Sequence, residues 1–271
     1  MLTLENVSYR YAGAARPSLR DVSLTFGDGE VVGVAGRSEA GKTTLCLVLS
    51  GLAPRTVGGS LSGRVLLDGN DAAPLAIHEL AEHIGIAFAS PATQLSGVAA
   101  TVYEEVAFGP MNLGLPRSEI ITRTDEALAA LRIETLADRD PARLSGGQQQ
   151  LVAIAGLLAQ RPAHLVLDEP TAQLDPQGTR LVGDALTRLA AGGASIVLVE
   201  QKTDLLAAIC SRVIVLDGGE VVLDGPSATV LGDARLASLH VAAPAAVRLQ
   251  RAARTAGTTE PQLSRLAEAL R

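Results

Sequence analysis

The sequence predicts an α/β fold in which a mostly parallel sheet carries helices on both faces. Segments with the spacing of strands alternate with segments with the spacing of helices, which favours parallel strands joined by crossover helices. The apolar segment EVVGVAG at 30–36 runs into a glycine-bounded loop that precedes the helical segment TTLCLVLSGL at 43–52. A second apolar segment, HLVLDE at 164–169, ends in two carboxylates. Both apolar segments therefore indicate strands that deliver polar residues to an edge of the sheet.

The individual elements follow from local periodicity and from turn residues. Alternating apolar residues predict a first strand at 2–11, and Asp28-Gly29 predicts a hairpin between strands at 21–26 and 30–36. The later elements are, in order, a strand at 63–70, a short strand at 84–90, helices within 101–132 interrupted around 109–116, a helix at 147–160, a strand at 164–170, a helix at 176–191, a strand at 195–200 and a hairpin at 212–225. The hairpins at each end predict a smaller antiparallel layer beside the parallel sheet.

The composition limits the classes of protein that fit. The chain has 271 residues, 47% hydrophobic and 2% aromatic, so we expect one large domain with an aliphatic core and a small appendage. A net charge of −6 argues against a general nucleic-acid binder. The sequence shows neither a long apolar span nor a signal peptide, so we expect a cytoplasmic protein that needs a partner for any membrane role. Cys46 and Cys210 are expected to be buried, reduced thiols.

The segment GRSEAGKT at 36–43 matches the phosphate-loop pattern G-x-x-x-x-G-K-[ST], and a strand and a helix flank it as the pattern requires. Backbone N–H groups would surround the phosphates of a nucleotide, and the helix N-terminus would add positive potential. Lys42 would contact the β- and γ-phosphates, and Thr43 would place its hydroxyl on Mg²⁺. The loop residues predicted to bind the nucleotide are Gly36, Arg37, Ser38, Glu39, Ala40, Gly41, Lys42, Thr43 and Thr44.

The two carboxylates at the end of 164–169 predict the hydrolytic part of the site. Asp168 would join Thr43 around Mg²⁺, and Glu169 would act as the general base for the attacking water. Two other classes fit less well, because QKTD at 201–204 is a near miss to the guanine-reading Asn-Lys-x-Asp and no Arg-rich kinase lid is visible. The sequence therefore predicts a P-loop NTPase with a RecA-like parallel core.

A third motif, LSGGQ at 144–148, opens a predicted helix and precedes the two carboxylates. The order of the three motifs strongly resembles that of ABC ATPases. The resemblance implies that ATP and Mg²⁺ bind between two chains arranged head to tail, with this motif contacting the γ-phosphate bound by the other subunit. The signature residues that would make this contact are Ser145, Gly146, Gly147 and Gln148.

The resemblance to ABC ATPases extends from Tyr9 to about residue 225. Tyr11 resembles the aromatic residue that stacks on adenine, although Tyr9 is a neighbouring candidate and either ring could simply pack against the strand. The segment AQLDP at 172–176 resembles the D-loop, which implies that Asp175 reaches across the dimer. We therefore expect an ABC nucleotide-binding domain at 1–225, with a helical subdomain at about 90–160 and a helical appendage at 226–271.

Two further segments resemble the ATPases of energy-coupling factor transporters. They are SPATQ at 90–94 and TVYEEVAFGPMNLG at 101–114, and the second is the more specific. The resemblance implies a second ABC ATPase, a membrane coupling subunit and a membrane subunit that captures the cargo, which would be a vitamin, a vitamin precursor or a transition-metal ion. The alternatives are the ATPase of another ABC transporter and a non-transport ABC ATPase.

Three residues depart from the family pattern. Ala89 stands where the family has the Q-loop glutamine, which contributes to the Mg²⁺ shell. Gln201 stands where the family has the switch histidine, and an amide can bond a γ-phosphate but cannot exchange a proton near pH 7. Glu39 takes a position usually held by glycine, which would cost about 1 kcal/mol if φ is positive there.

These departures, beside intact Lys42, Asp168, Glu169 and LSGGQ, suggest an asymmetric pair of ATPases. This chain would bind ATP firmly and hydrolyse it slowly, and its signature would complete an active site on a different partner. A homodimer in which Gln201 replaces the histidine adequately is the rival interpretation. The apolar stripe formed by Leu249, Leu263, Leu266 and Leu270 suggests that the tail assists pairing.

Overall fold

The computed structural model describes residues 1–255 of the chain. The strands are β1 (Leu2–Arg10), β2 (Leu19–Phe26), β3 (Val31–Ala35), β4 (Ser60–Leu67), β5 (Asn70–Asp71), β6 (Ile84–Ala87), β7 (His164–Asp168), β8 (Ile196–Val199), β9 (Arg212–Asp217) and β10 (Glu220–Pro226). The helices are α1 (Lys42–Leu49), α2 (Leu52–Arg55), α3 (Ile77–Ala81), α4 (Val102–Asn112), α5 (Arg117–Leu131), α6 (Gly146–Ala159), α7 (Pro176–Ala191), α8 (Thr203–Ile209), α9 (Ser227–Leu231) and α10 (Ala245–Thr255). The predicted α/β class is confirmed.

A six-stranded sheet with the order β10-β9-β3-β8-β7-β6 forms the centre of the molecule. All of its pairs are parallel except β9 with β10, which form the predicted hairpin. Every residue of β3, β7 and β8 is buried, as expected for strands covered on both faces. Side chains alternate between two cores, so that Val31 and Ala35 of β3 face one core while Val32 and Val34 face the other.

The antiparallel layer is a separate four-stranded sheet with the order β2-β1-β4-β5. The prediction of a hairpin between β2 and β3 at Asp28-Gly29 is wrong, because β2 pairs with β1 whereas β3 pairs with β8 and β9. Asp28 and Gly29 do form a turn, in which Gly29 has a positive φ of 70°. The chain uses this turn to cross from one sheet to the other, and a local turn signal does not distinguish a crossing from a hairpin.

Helices α4, α5 and α6 form the helical region predicted within 101–160. The interruption predicted around 109–116 is shorter in the structure, because α4 continues to Asn112 and only 113–116 separate it from α5, where Gly114 has a positive φ of 68°. Helix α4 begins with a capping box, in which the Thr101 hydroxyl accepts from the Glu104 N–H and the Glu104 carboxylate accepts from the Thr101 N–H. Buried faces of all three helices join one core with the sheet, which fixes their position relative to the strand ends.

The segment after β10 contributes to the same core. Val230, Leu231, Leu236 and Val241 are buried among residues of the central sheet. The predicted domain boundary at 225 and the role of the tail stay predictions, and Leu263, Leu266 and Leu270 lie outside the described residues. No helix within 1–255 has the length and apolar character needed to span a membrane. Cys46 and Cys210 are free thiols and buried, as predicted.

Candidate nucleotide-binding site

The register of the parallel strands places the ends of β3, β8 and β7 side by side, so that the loops after these strands are neighbours. Val34 of β3 lies opposite Val199 of β8, and Val199 lies opposite Asp168 of β7. The segments that follow these residues are the phosphate loop, Gln201 and Glu169. They therefore leave the sheet together at the carboxyl ends of the strands, where ligands bind in open α/β sheets.

The phosphate loop folds tightly because two of its residues are glycine. Gly36 has a φ of 156°, and a Cβ there would lie 2.5 Å from the carbonyl oxygen of Leu216. Gly41 has a φ of 102°, and a Cβ there would lie 2.6 Å from the carbonyl oxygen of Ser18. Contacts this close exclude any side chain, so the two glycines are required by the surrounding backbone as well as by their own conformation.

Glu39 adopts the left-handed conformation in which glycine is favoured, with a φ of 65°. Its side chain is exposed and lines the cavity beside Ser38. The expected cost of a non-glycine residue at this position, about 1 kcal/mol, therefore applies to this chain. The loop holds its shape despite this cost.

Lys42 begins α1 and is 6% exposed. Its Nζ donates to the carbonyl oxygens of Gly36 and Arg37, both at 3.0 Å, and lies 3.6 Å from Oε1 of Glu169. The two carbonyl contacts hold the ammonium group across the loop. The arrangement places one buried positive charge at the base of the cavity, where it can attract phosphate oxygens.

Asp168 is buried at the end of β7 and is 6% exposed. Burial raises the pKa of this carboxyl above its ordinary value, and the neighbouring Thr43 hydroxyl opposes that rise. No donor in the described part of the chain reaches its Oδ1. A buried carboxylate oxygen without a partner, beside a hydroxyl, fits a hard divalent cation such as Mg²⁺.

Glu169 follows Asp168 and has a positive φ of 49°. The Nε2 of Gln201 donates to both of its carboxylate oxygens, at 2.9 Å and 3.0 Å. The carboxylate thus stands between a neutral amide and the Lys42 ammonium group. This contact holds the Glu169 side chain at the cavity without supplying it with a proton.

Tyr11 lines the cavity, and its hydroxyl lies 3.1 Å from Oγ1 of Thr44. Tyr9 is completely buried, packs edge to face against the Tyr11 ring and donates its hydroxyl to the carbonyl oxygen of Gly58. Of the two aromatic residues that the sequence leaves as candidates, only Tyr11 is therefore available to a ligand.

These side chains surround a cavity of about 470 Å³. It is lined by Tyr11, Ser18, Ser38, Glu39, Gly41, Lys42, Thr43, Thr44, Glu169 and Gln201. Ser18 is the one member that the sequence did not indicate, since it reaches the cavity by the close approach of its backbone to Gly41. Gly36, Arg37 and Ala40 shape the loop, and Asp168 lies beneath it.

The predicted signature residues are not part of this cavity. Ser145 caps α6 with its hydroxyl accepting from the Gln148 N–H, and the Gln148 side chain accepts from the Ser145 N–H. Ser145 and Gly146 are exposed, and Gly147 packs closely on Gly178. Asp175 is also exposed and caps α7. Within this chain the structure brings the phosphate loop and the carboxylates together and leaves Ser145, Gly146 and Asp175 on the surface, outside the cavity.

Ala89 follows β6, at the Q-loop position. The glutamine of the nearby SPATQ segment, Gln94, folds back on the backbone and accepts from the Phe88 N–H at 2.9 Å. Its amide donates to the carbonyl oxygens of Phe88 and Ser90 at 3.0 Å and 3.1 Å. Gln94 is thus used to close its own loop, and it does not replace the missing Q-loop glutamine.

A parallel sheet with a phosphate loop after a central strand, a buried aspartate on a neighbouring strand and a capped LSGGQ helix defines an ABC-type ATPase domain. The family model for ABC transporters matches residues 19–172 of this chain. The chain belongs to that family.

Two relatives and one solved structure show the extent of the similarity. A putative ABC transporter ATP-binding protein of Methanosarcina mazei is 41% identical over 93% of this chain and 43% of the relative. The energy-coupling factor transporter ATP-binding protein EcfA of Methanosarcina acetivorans is 38% identical over 96% of this chain and 92% of the relative. The structure of CbiO1 from Clostridium perfringens, described as part of the ABC transporter complex CbiONQ, is 32% identical with a TM-score of 0.78 and covers 98% of both chains. The chain thus spans less than half of the first relative and nearly all of the other two.

Proposed function

We propose that this protein is the ATP-hydrolysing subunit of an importer of the energy-coupling factor type, which takes up a vitamin, a vitamin precursor or a transition-metal ion. The observation that carries this proposal is the similarity to EcfA and CbiO1, which extends over 96% and 98% of the chain. The site supports it, because Lys42, Thr43 and Glu169 line one cavity and Asp168 lies beneath the same loop.

In this proposal each residue has one task. The amides of the phosphate loop and Lys42 bind the phosphates of ATP, and Tyr11 supports the adenine ring. Thr43 and Asp168 hold Mg²⁺, which neutralises phosphate charge when it is bound. Glu169 accepts a proton from the attacking water, and Gln201 orients the Glu169 carboxylate.

The working unit would contain two ATPase chains. The signature helix start and Asp175 lie outside the cavity of their own chain, so the exposed Ser145 and Gly146 are free to contact a nucleotide held by another chain. A helix N-terminus with exposed backbone N–H groups suits a γ-phosphate. This is the reason to expect a dimer in which each site uses both chains.

The two sites of the dimer would be unequal, and a heterodimer is favoured. This chain has Ala89 at the Q-loop position in place of an amide ligand, and Gln201 lines the cavity in place of an exchangeable imidazole, whereas its signature is complete. Steady-state ATP turnover of the reconstituted complex tests this, with Glu169→Gln in this chain compared with the matching change in the partner. If the two sites are unequal, the change in the partner should lower ATP turnover more than Glu169→Gln in this chain does. The proposed asymmetry is wrong if Glu169→Gln abolishes turnover and the partner change does not.

The membrane partner would bind a groove of about 500 Å³ between α3, α4 and α6. Phe108 and Leu113 line this groove and are 40% and 38% exposed, while Phe88 connects it to the Ala89 loop. Exposed apolar residues around a groove suit an amphipathic helix. A membrane coupling subunit that inserts such a helix would hold this chain at the cytoplasmic face of the membrane.

Co-purification of the tagged full-length chain from detergent-solubilised membranes tests the proposed class. Recovery of a second ATPase with two small hydrophobic proteins supports it, and the capture subunit would indicate the cargo. Leu113→Asp should abolish this recovery, whereas Leu181→Asp, which changes an equally exposed leucine on α7, should not. Recovery of only soluble partners would contradict the proposal.

A further inference from the structure

Glu200 is a buried carboxylate that the nucleotide site described above does not use. It follows the fully buried strand β8 and is 1% exposed. Burying an ionised carboxylate is costly unless hydrogen bonds compensate for the lost water. The partners of this side chain therefore indicate what its burial achieves.

The Glu200 carboxylate joins two loops of the site. Its Oε1 accepts from the backbone N–H of Thr171 at 3.1 Å and from the Thr171 hydroxyl. Its Oε2 accepts from the backbone N–H groups of Gln201 and Lys202, at 3.0 Å and 3.2 Å. One side chain thus binds the loop that begins with Glu169 to the loop that carries Gln201.

Lys202 makes a second connection between the same two loops. Its Nζ donates to the carbonyl oxygen of Thr171 at 2.8 Å and to Oγ1 of Thr179, in the first turn of α7, at 2.7 Å. Glu200 binds the N–H side of Thr171 and Lys202 binds its C=O side. Thr171 is completely buried between them. We name Glu200, Lys202 and Thr171 the loop clamp.

We infer that the loop clamp positions the general base for hydrolysis, with Glu200 and Lys202 as positioning residues that do not touch the nucleotide. The clamp sets the separation of the backbones at Glu169 and Gln201. That separation allows the Gln201 amide to reach both carboxylate oxygens of Glu169. The inference rests on the proposed role of Glu169 as general base.

Glu200→Gln tests the clamp with the least change of shape. An amide NH₂ group at this site would face backbone N–H donors, so at least one of the four bonds is lost. We expect the single-turnover rate of ATP hydrolysis at this chain's site, measured in the reconstituted complex with the matching Glu→Gln change in the partner, to fall by about 10- to 100-fold, as for other small misplacements of catalytic groups. The dissociation constant for ATP should change by less than about twofold, because the phosphate loop does not depend on the clamp.

Thr203→Val is the matched control. Thr203 is 4% exposed and begins α8 directly after this loop, but its hydroxyl donates to the carbonyl oxygen of Ala242, away from Glu169. This variant should keep the wild-type hydrolysis rate. Thr171→Val removes one donor to Glu200 and keeps the side-chain shape, so it should lower the rate in the same way as Glu200→Gln but less strongly.

A double-mutant cycle separates positioning from general destabilisation. If Glu200 acts through Gln201, the variant with both Glu200→Gln and Gln201→Ala should hydrolyse ATP no more slowly than the slower single variant. The inference would be overturned if the effects of Glu200→Gln and Gln201→Ala on the hydrolysis rate multiply. It would also be overturned if Glu200→Gln and Thr171→Val hydrolyse ATP at the same rate as Thr203→Val. Glu169→Gln separates a failure of the proposed role of Glu169 from a failure of the clamp. If Glu169→Gln still hydrolyses ATP, Glu169 is not the general base. If Glu169→Gln loses hydrolysis and Glu200→Gln keeps it, only the clamp is wrong.

Discussion

The phosphate loop at 36–44 and the facing loop at 200–202 are constructed in opposite ways. The phosphate loop depends on its backbone shape, because close contacts with Leu216 and Ser18 require glycine at Gly36 and Gly41, and the Lys42 side chain adds a positive charge to it. The facing loop acts through side chains, because the Gln201 amide bonds the Glu169 carboxylate. A site formed by backbone groups tolerates a changed side chain such as Glu39. A contact made by a side chain changes its chemistry whenever that side chain is replaced. This difference supports the proposal that this chain binds the nucleotide firmly and hydrolyses it slowly.

Removing the buried ammonium group should have the largest effect on binding. We expect Lys42→Ala to weaken binding of ATP with Mg²⁺ by about 100-fold, because a charged hydrogen-bonding partner contributes about 1.5–3 kcal/mol and each 1.4 kcal/mol is tenfold. Isothermal titration calorimetry measures this change, with the exposed Arg64→Ala as a control. Unchanged affinity in Lys42→Ala would show that the cavity is not the nucleotide site.

Replacing the amide of the facing loop should change hydrolysis and leave binding unaltered. We expect Gln201→His to raise the hydrolysis rate by roughly tenfold, equivalent to about 1.4 kcal/mol in the barrier. The rate should also acquire a pH dependence near 6.5, because imidazole exchanges a proton there and an amide does not. Rates measured from pH 5.5 to 8.5 for both proteins test this. A variant whose pH profile matches the wild type would contradict it.

Asp168 is proposed to hold Mg²⁺, yet its burial should reduce the stability of the fold. Burial raises the pKa of Asp168 in the folded protein above its value in the unfolded chain. At a pH above the folded pKa the buried carboxylate is ionised, and the fold is less stable for it. This loss of stability disappears as the pH falls through the folded pKa toward the unfolded one. We expect Asp168→Asn to raise the melting temperature at pH 7 without Mg²⁺ by about 2–4 °C, which corresponds to about 1 kcal/mol.

Calorimetric melting curves of Asp168→Asn and the wild type, recorded at pH values from 7 down to 4, measure this difference. The gap between the two proteins should narrow as the pH falls through the raised pKa of Asp168 toward the ordinary value of an aspartate. Equal melting temperatures throughout this range would mean that the unpartnered Oδ1 carries no cost. Mg²⁺ should stabilise the wild type in the presence of ATP and have little effect on the variant.

Glu39→Gly should have the smallest effect. Relief of the positive φ gains about 1 kcal/mol, and the greater freedom of glycine in the unfolded chain costs about 0.5–1 kcal/mol. The free energy of unfolding measured in urea should therefore change by less than about 1 kcal/mol. A larger loss would show that the Glu39 side chain supports the loop.

The sequence by itself determined the local chemistry of this protein. The glycine pattern, Lys42, the two carboxylates after an apolar strand and the capped LSGGQ helix are recognisable because each depends on residues a few positions apart. Local patterns also predicted α6 and α7 to within one residue and the β9–β10 turn, since periodicity and turn glycines act over a few residues, whereas α3 and α8 were not predicted.

Only the tertiary structure decided how these pieces meet. The strand order separates β2 from β3 despite a good turn signal, buries Tyr9 while exposing Tyr11 to the cavity, and leaves the signature outside it. It also joins Glu200 to Thr171, which lies 29 residues away in the chain. A carboxylate directly after an all-apolar strand was the one signal of that contact. Register and burial result from contacts between distant segments, and local periodicity carries no information about which strands become neighbours.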